Sequence, residues 1–348
     1  MIIVVSHPED PHAERVIGLL TEEQHEVLLL NLADLPTRAT LTVDYDDPRE
    51  PSIGYRLDGR MHELAHARSV WWRRPQVADV AAVTDFDARM FTANEWNEAV
   101  GGLWQLLPAR WVNPPHHDEV AARKAYQLRV AAEVGLRIPR TLITSDPDRA
   151  RAFIEAEGVG RTVFKTFSAT HAIWRETRLV HSEELASLDA VRVAPVIFQE
   201  FVPADVDLRV TMVGERVFPA AIHSRGTDYE VDFRMSLGQA RTVATELPAA
   251  VAHRLQALMT HLGLVYGAID MRRTPEGEYV FLEVNTAGEF LFVEERTGQP
   301  ISRALADWLA APTPAASAGA TPAAPAPIPA ARPLVAPGTT RSSGSRPG

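Results

Sequence analysis

The chain has 348 residues, of which 46% are hydrophobic, and this length allows one large domain or two domains with a sizeable core. Its formal net charge of −10 disfavours nucleic-acid binding, which requires a basic surface to replace the counterions of the phosphates. The absence of cysteine excludes disulfides, thiolate metal sites and a cysteine nucleophile. Because the chain has neither a basic amino-terminal signal segment nor an apolar run of about 18 residues, we expect a cytoplasmic protein without a transmembrane helix.

The amino-terminal third alternates between short apolar segments and segments with helical periodicity. The predicted elements are strands at 2–5, 27–30 and 70–72 and helices at 11–23 and 85–107, the second helix with Asp85 as its N-cap. This strand–helix–strand order predicts a parallel sheet. Residues 37–60, which are rich in charges, Pro and Gly, predict a β-meander or a loop. The prolines at 114 and 115 predict a domain boundary at residue 113.

The rest of the chain continues this alternation and ends in a segment of low complexity. We predict helices at 118–134, 146–157 and 248–263, and strands at 141–144, 162–167, 194–199, 208–213 and 217–223. Apolar residues at helical spacing predict a closing helix around 301–309. Residues 311–348 consist mainly of Ala, Pro, Ser, Gly and Thr and cannot bury enough apolar surface to offset the entropy of ordering, so we expect disorder there.

A predicted hairpin over residues 268–285 carries three oxygen ligands. Glu283 and Asn285 share one face of a strand, and an even loop length would place Asp270 opposite Glu283 in a ladder of uniform register. Two carboxylates so close repel unless a cation lies between them, and ligands that are all oxygen suit Mg²⁺ bound to a nucleotide. The alternative is a surface hairpin with polar ends. Glu283, however, lies among apolar residues, where a carboxylate needs a partner or a metal.

Lys124 and Lys165 are the only lysines among 35 basic residues. Lys165 lies within a predicted apolar strand, where a lysine either extends to an exposed edge or meets an anion. A chain that otherwise uses arginine keeps lysine where a compact point charge is needed. We therefore consider phosphate binding for both, with a solvated edge lysine as the alternative.

Two further motifs have both a functional and an ordinary interpretation. Residues 197–203 leave an apolar strand and end at proline, which suggests either a hinge whose main chain reads an adenine edge or an ordinary strand end. Asp207 and Arg209 are two residues apart and share a face of the next strand. They would bind ribose hydroxyls and phosphate, or form a surface ion pair worth about 0–1 kcal/mol.

Other notable residues give weaker signals. Residues 71–75 (Trp-Trp-Arg-Arg-Pro) allow base stacking, but in this acidic chain a buried strand end is favoured. His116 and His117 have no partner at ligand spacing, and we interpret them as loop histidines. The chain has none of the motifs of P-loop nucleotidases, zincins or α/β-hydrolases.

The order of these motifs resembles the ATP-grasp superfamily, and more closely the microviridin-type peptide maturases, also called graspetide ligases. The matching segments are 72–75, 174–178, 270–272 and 281–289. The resemblance covers about residues 1–310 and implies an α/β fold. Its parts would be a pre-ATP-grasp α/β domain at 1–113, a two-lobed ATP-grasp domain of α+β lobes at 114–310, and the tail at 311–348.

The resemblance also implies a role for each candidate residue. The ATP phosphates would contact Lys124 and Lys165, the adenine would contact Gln199, Glu200, Phe201 and Val202, and the ribose would contact Asp207. Mg²⁺ would be held by Asp270, Glu283 and Asn285, and the transferred phosphate would face the catalytic arginines Arg209, Arg234 and Arg272. Many members carry a glycine-rich loop after the second lysine. Residues 168–172 contain no glycine here, so hydroxyls of Ser168 or Thr170 would have to replace that loop.

The implied activity uses ATP and Mg²⁺ to activate an Asp or Glu carboxylate of a ribosomal precursor peptide with a leader sequence. A hydroxyl or amine of the same peptide then attacks the acyl-phosphate and closes an ester or amide macrocycle. The resemblance implies no nucleic-acid or membrane partner and allows a homodimer. Two alternatives remain open: a RimK-like carboxylate–amine ligase that adds an amino acid to a protein or small molecule, and an ATP-binding module without ligase activity.

Overall fold

The computed structural model of the protein describes residues 1–167, 176–224, 226–227 and 231–312. Its first strands are β1 (Ile2–Val5), β2 (Val27–Leu30), β3 (Ala39–Asp44), β4 (Ser52–Leu57), β5 (Arg60–Glu63), β6 (Ser69–Trp72) and β7 (Arg110–Val112). The predicted parallel sheet is confirmed, with strand order β2-β1-β6-β7, although β7 was not expected. The meander predicted between the second and third parallel strands is the antiparallel sheet β3-β4-β5.

Two helices accompany the parallel sheet, α1 (Pro11–Glu22) and α2 (Phe86–Leu106). Both begin after an aspartate whose carboxylate accepts a hydrogen bond from a main-chain N–H of the first turn, Asp10 before α1 and Asp85 before α2. Such a bond satisfies one of the free N–H groups at a helix start. The predicted N-cap at Asp85 is therefore confirmed.

The remaining elements form two antiparallel sheets with helices packed against them. The helices are α3 (Pro115–Ala121), α4 (Lys124–Glu133), α5 (Pro147–Glu157), α6 (Ser182–Ala186), α7 (Ala249–Leu262), α8 (Leu291–Thr297) and α9 (Ile301–Ala310). The strands are β8 (Thr141–Thr144), β9 (Thr162–Lys165), β10 (Arg178–Leu179), β11 (Val196–Glu200), β12 (Val206–Val213), β13 (Arg216–His223), β14 (Arg241–Ala244), β15 (Tyr266–Arg273) and β16 (Tyr279–Asn285). The sheet orders are β10-β9-β11-β8 and β14-β13-β12-β15-β16.

The single helix predicted over residues 118–134 is wrong, because the chain turns between α3 and α4. Arg123 has an extended conformation there, with φ −75° and ψ 101°. The Gln127 side chain donates to the carbonyl of Ala121 at the end of α3 (2.6 Å) and to Val284 O on β16 (2.9 Å). The break therefore docks the start of α4, where Lys124 is the first residue, onto the strand that carries Glu283.

The apolar core runs from the parallel sheet to the five-stranded sheet. Ile2, Trp71 and residues of α1 share one buried cluster with Ala268 of β15 and Leu305 of α9. A second buried cluster lies between the five-stranded sheet and helices α4 and α7. The division at residue 113 stays a prediction, and residues 313–348 of the predicted tail lie outside the described residues.

Asn113, at the predicted boundary, ties the two parts of the chain together. Its buried side chain accepts hydrogen bonds from the N–H groups of Val265 (2.8 Å) and Tyr266 (2.9 Å) and donates to Tyr266 O (2.9 Å). The start of β15 is thereby held by the residue that follows β7. Among the described residues, no helix is long and apolar enough to cross a membrane.

Candidate active site

The hairpin of β15 and β16 places Asp270 opposite Glu283, as predicted. The register changes immediately toward the turn, where Met271 faces Phe281. Leu282 is therefore an extra residue on β16, a β-bulge. The uniform register predicted along the hairpin is wrong for this half, although the pairing of the two carboxylates is correct.

The bulge gives the cleft an apolar wall that strict alternation does not predict. Leu282 and Glu283 line the same cleft although they are adjacent in sequence. Phe281 and Val284, on either side of them, are buried in the core against α4 and α7. Sequence reasoning missed Leu282, because the bulge is decided by this packing rather than by the strand's own pattern.

Acids and arginines alternate on the neighbouring strands β12 and β15. Arg209 donates to Asp270 Oδ1 (2.6 Å), and Arg272 Nε donates to Asp207 Oδ1 (2.9 Å). The ladder places each pair directly across the two strands, and all four side chains are buried. The surface ion pair considered for Asp207 and Arg209 is therefore wrong. Removing one member of such a buried pair leaves an uncompensated charge, at a cost of about 3–5 kcal/mol.

Both lysines meet Glu283. Lys124 Nζ lies 2.5 Å and Lys165 Nζ 3.9 Å from the same carboxylate oxygen. The Lys165 side chain is 14% exposed, so the alternative of a solvated edge lysine is also wrong. Burial lowers the pKa of Lys165, and the charge of Glu283 only partly offsets this.

The two facing carboxylates differ in their electrostatics. Burial opposes ionisation of Glu283, but the charges of Lys165 and Lys124 outweigh it and hold the pKa of that carboxyl below its usual range. Burial raises the pKa of Asp270, and the charge of Arg209 only partly offsets this effect. The lysines thus favour a fixed negative charge on Glu283.

The donor set on the hairpin is suited to a cation that is also held by a nucleotide. Asn285 Nδ2 lies 3.2 Å from Asp270 Oδ2 and 3.4 Å from Glu283 Oε1, so the three side chains converge. Within the described ranges, no group of three or more His, Cys, Asp or Glu residues is placed to hold a metal. Mg²⁺ commonly takes one or two carboxylates and completes its shell with phosphate oxygens and water. Two carboxylates and an amide fit that mode and do not form a complete protein cage.

The predicted hinge overlaps the end of β11, and its main chain is bonded to the residues that precede the neighbouring strands β8 and β9. The N–H of Glu200 donates to Arg140 O (2.9 Å), and the N–H of Phe201 donates to Arg161 O (2.7 Å). Gln199 is buried, and its amide donates to a threonine hydroxyl of β8 (2.9 Å). These two N–H groups are therefore used within the protein. Only the other main-chain groups of the segment remain to form hydrogen bonds with an adenine base.

Arg272 lies at the hinge end of the cleft. Besides Asp207, its guanidinium donates to the carbonyls of Val202 and Val231, each at 2.8 Å. The second oxygen of Asp207 accepts from the Ser224 hydroxyl (2.5 Å). Arg272 thus ties together the hinge, β12 and the segment that precedes Arg234.

The candidate residues line two adjoining regions of one cleft, which we call the hinge half and the open half. The hinge half is lined by residues that include Lys124, Lys165, Gln199, Glu200, Phe201, Val202, Asp207, Arg234, Asp270, Arg272, Leu282 and Glu283. The open half is lined by residues that include Arg74, Lys124, Arg209, Arg234, Asn285, Thr286, Ala287, Gly288 and Glu289. Lys124 and Arg234 belong to both halves. The structure therefore brings to one cleft every predicted site residue that lies in the described ranges.

Arg234 stands where the two halves meet. It forms two hydrogen bonds with Asp232, from Nε to Oδ1 (2.7 Å) and from Nη2 to Oδ2 (2.5 Å). Burial works against the charge, but these bonds outweigh it and raise the pKa of Arg234. The arginine is thus a fixed cation beside both halves. Residues 168–172, including Ser168 and Thr170, lie outside the described residues.

The segment of residues 71–75 ends β6, and the predicted burial is confirmed in part: Trp72, Arg74 and Pro75 are half-buried. Trp71 and Arg73 are each 1% exposed. Arg74 donates to Glu289 (3.1 Å) in the open half, a role that sequence reasoning missed. His116 and His117 lie in α3, so their assignment to a loop is wrong.

A family model for the RimK-like ATP-grasp domain matches residues 121–309, more than half of the chain. The chain belongs to the RimK-like ATP-grasp family. It is therefore an ATP-grasp ligase, a class that uses ATP, and the resemblance to this superfamily is confirmed. A relative from Citrobacter koseri, named probable alpha-L-glutamate ligase, is 29% identical over 205 residues, which are 56% of this chain and 67% of that protein.

Two solved peptide ligases match most of the chain. The macrocyclase MdnC of Microcystis aeruginosa, bound with the precursor peptide MdnA, is 29% identical, with a TM-score of 0.80 over 89% of this chain and 99% of that one. A RiPP-associated ATP-grasp ligase of Chryseobacterium gregarium, in complex with ADP and a leader and core peptide, is 26% identical, with a TM-score of 0.80 over 88% and 96% of the two chains. Both matches include much of the amino-terminal part, which the family model does not cover.

Proposed function

We propose that the chain is a peptide macrocyclase that joins side chains of a ribosomal precursor peptide through ester or amide bonds. The observation that carries this proposal is that the amino-terminal part of the chain helps to line the open half of the cleft. The parallel sheet contributes Arg74 to this half, where it meets Glu289 beside Arg209. The similarity to solved peptide ligases extends into the amino-terminal part that supplies Arg74, which supports a peptide substrate for this half.

In the hinge half, we assign the adenine and the ribose of ATP to the protein groups that are not already used by bonds within the hinge. The carbonyl of Glu200 and the N–H of Val202 are suited to the adenine edge, and Leu282 is suited to packing against the base. Asp207 would share its carboxylate between the ribose and its protein partners. Because Arg272 binds Asp207 and the hinge carbonyl of Val202, we assign it to positioning rather than to contact with the transferred phosphate.

At the other end of ATP, the lysines and the hairpin acids would face the phosphates. Lys124 and Lys165 would neutralise phosphate charge, and Asp270, Glu283 and Asn285 would hold Mg²⁺. This ion would supply positive charge that offsets the negative charge of the terminal phosphates. Arg209 and Arg234 lie toward the open half and would stabilise charge on the phosphoryl group as it is transferred.

The proposed reaction proceeds in two steps. A carboxylate oxygen of an Asp or Glu side chain attacks the γ-phosphorus, the bond to the β-phosphate oxygen breaks, and ADP leaves. A hydroxyl or amine of the same peptide then attacks the acyl carbon, the C–O bond to phosphate breaks, and phosphate and a proton are released. The residues of the cleft act mainly by holding the groups in line and balancing their charge.

The proposal also includes the domain organisation of the chain and its binding of the precursor peptide. Residues 1–113 would form the amino-terminal domain and 114–310 the catalytic domain, with the precursor peptide bound through a leader sequence. A homodimer stays a prediction. An ATP-binding module without ligase activity is excluded, because the chain is an ATP-grasp ligase.

The function is tested with purified enzyme, ATP, Mg²⁺ and a candidate precursor peptide rich in Thr, Ser, Asp and Glu. We expect ADP and phosphate as products and a peptide that loses the mass of one water per ring, measured by intact-mass spectrometry. Glutamate ligases among the relatives favour a second candidate, a ligase that adds an amino acid. That activity would increase the acceptor mass by one amino-acid residue. A mass gain, or AMP as the product, would disprove the macrocyclase proposal.

A further inference from the structure

The loop of residues 286–289, which we call the carbonyl loop, directly follows Asn285 and lines the open half of the cleft. Side chains bind each of its four main-chain carbonyls. The bonds run from Asn113 Nδ2 to Thr286 O (3.4 Å), from Arg73 Nη1 to Ala287 O (2.6 Å) and Gly288 O (2.9 Å), from Tyr266 Oη to Gly288 O (2.7 Å), and from Arg209 Nη2 to Glu289 O (3.0 Å). The conformation of the loop is therefore fixed by side chains that do not belong to it.

Arg73 is the donor that reaches the carbonyl loop from the parallel sheet. Its Nε donates to Asp10 Oδ2 (3.1 Å), and both side chains are completely buried. Among the described residues, its Nη2 atom is buried without a hydrogen-bond partner. Burying a cation with an unused donor costs stability, so the arrangement is poorly explained as a device for stability alone.

A displaced carbonyl loop would disturb the charged centre. A Cβ atom at Gly288 would come 2.4 Å from Ala268 Cβ and 3.1 Å from Arg209 Nη2, so the loop main chain packs directly against the sheet. Arg209 in turn donates to Asp270 (2.6 Å). A continuous path of contacts therefore links Arg73 to the hairpin acids: Arg73 binds the carbonyl loop at Gly288 O, and Arg209 binds both Glu289 O of the loop and Asp270.

We propose that Arg73 is a positioning residue for the ligase reaction: it fixes the carbonyl loop from the amino-terminal sheet so that Arg209 and Glu289 face the substrate carboxylate. The expected effect of Arg73 on the reaction rate rests on the proposed macrocyclase function. The position of the loop itself does not depend on the identity of the substrate.

The test compares Arg73→Met and Arg73→Lys with Ser69→Ala in the full-length protein. Arg73→Met keeps an unbranched stem of similar width and removes the charge and the donors, whereas Arg73→Lys keeps the charge without the planar fork. Ser69 lies on the same strand, and its hydroxyl donates to Leu309 O of α9 (2.7 Å). Ser69→Ala therefore weakens the same junction without touching the carbonyl loop.

Three quantities are measured: amide hydrogen exchange of residues 286–290, ADP affinity by calorimetry, and kcat/KM for a precursor peptide. Arg73→Met should accelerate exchange in the loop and lower kcat/KM by about 10²-fold, the scale expected for a misplacement near 1 Å. ADP affinity should change little, and Arg73→Lys should fall between Arg73→Met and the wild type. Ser69→Ala should lower the thermal midpoint without accelerating exchange in the loop.

Equal exchange in the loop for Arg73→Met and wild type would overturn the proposal. The same conclusion would follow if Ser69→Ala reproduced the exchange and kinetic changes of Arg73→Met. If the wild type modifies no precursor peptide, the proposed function fails, while the exchange comparison still decides the role of Arg73.

Discussion

Glu283 binds Lys124 and Lys165 through one carboxylate oxygen and faces Asp270 across the hairpin. Glu283→Gln keeps the shape of the side chain and removes the charge that balances the lysines and that we assign to Mg²⁺. We expect ATP-dependent turnover to fall by about 10²-fold or more, the scale of losing one electrostatic contact in an active site. Turnover by product analysis and folding by circular dichroism measure the two effects separately.

A matched control for this substitution is Glu276→Gln, in the turn of the same hairpin, where the carboxylate is exposed. It should retain wild-type turnover. Wild-type activity of Glu283→Gln would show that this carboxylate does not hold the metal.

His12 provides a pH test of the buried junction near Arg73. Burial, followed by the charge of Arg73, lowers the pKa of His12 from 6.5 to about 4. Between these values, the unfolded chain binds a proton that folded His12 does not bind. The free energy of unfolding therefore falls as the pH falls through this window, and the contribution of His12 is complete above it. From about pH 7 to about pH 5, the expected loss is about 2 kcal/mol.

Urea unfolding at the two pH values measures this loss. His12→Gln removes the titrating group and should reduce the difference between the two free energies of unfolding. His253→Gln, at an exposed histidine of α7, should not reduce it. An unchanged pH dependence in His12→Gln would mean that other groups are responsible.

Among the elements, the hairpin of β15 and β16 combines a predictable pattern with an unpredictable bulge. Leu282→Ala should weaken ATP binding about tenfold, because removing apolar contact with the base costs about 1.4 kcal/mol. The thermal midpoint should change little, since Leu282 is only half-buried. Leu237→Ala, in the open half, serves as the control with ATP affinity close to wild type. Equal affinities for both variants and the wild type would remove Leu282 from the adenine site.

The elements also show where reasoning from sequence succeeds. Strands and their facing carboxylates follow from local alternation, which is why Asp270 and Glu283 could be paired in advance. The bulge at Leu282 depends on how Phe281 and Val284 pack against helices α4 and α7. The break before Lys124 likewise depends on Gln127 bonding to β16, which no local periodicity encodes.

The candidate site shows a similar division. Asp270, Glu283 and Lys165 were identified because acids and a lysine are conspicuous in apolar strands, whereas Arg234 and Arg272 were named only through the family resemblance. The bonds that Arg73 makes were not predicted, since this residue binds carbonyls 214 and 215 positions further along the chain. Such contacts exist only once the parallel sheet has docked. The Arg209–Asp270 pair arises separately, from the pairing of β12 with β15, and it was likewise visible as residues but not as a bond.

For the whole molecule, the shared core predicts that the catalytic part does not fold alone. Leu305 of α9 and Ala268 of β15 are buried in one cluster with Ile2 and Trp71 of the parallel sheet. A fragment of residues 114–312 would expose this surface, even though it contains all of the RimK-like domain. We expect it to aggregate or to unfold without cooperativity in calorimetry.

A chain of residues 1–312 is the comparison for this fragment. It should unfold at the same temperature as the full-length protein, because the composition of the remaining residues cannot support a core. Cooperative unfolding of residues 114–312 near that temperature would show that the two parts are independent folding units.

Arg68 contacts both limits of the described chain: its main-chain N–H donates to Met1 O (2.9 Å), and its guanidinium donates to Ala310 O (3.1 Å). The first and last elements of the described residues are thus neighbours in space, since one arginine contacts both. Domains whose first and last residues lie this close commonly tolerate circular permutation, so we expect residues 1–312 to tolerate it. A short linker between the two ends would allow the chain to be opened at the exposed segment 46–50 between β3 and β4, far in sequence from the cleft residues. We therefore expect that the order of the elements along the chain can be changed while their arrangement in the folded ligase is kept.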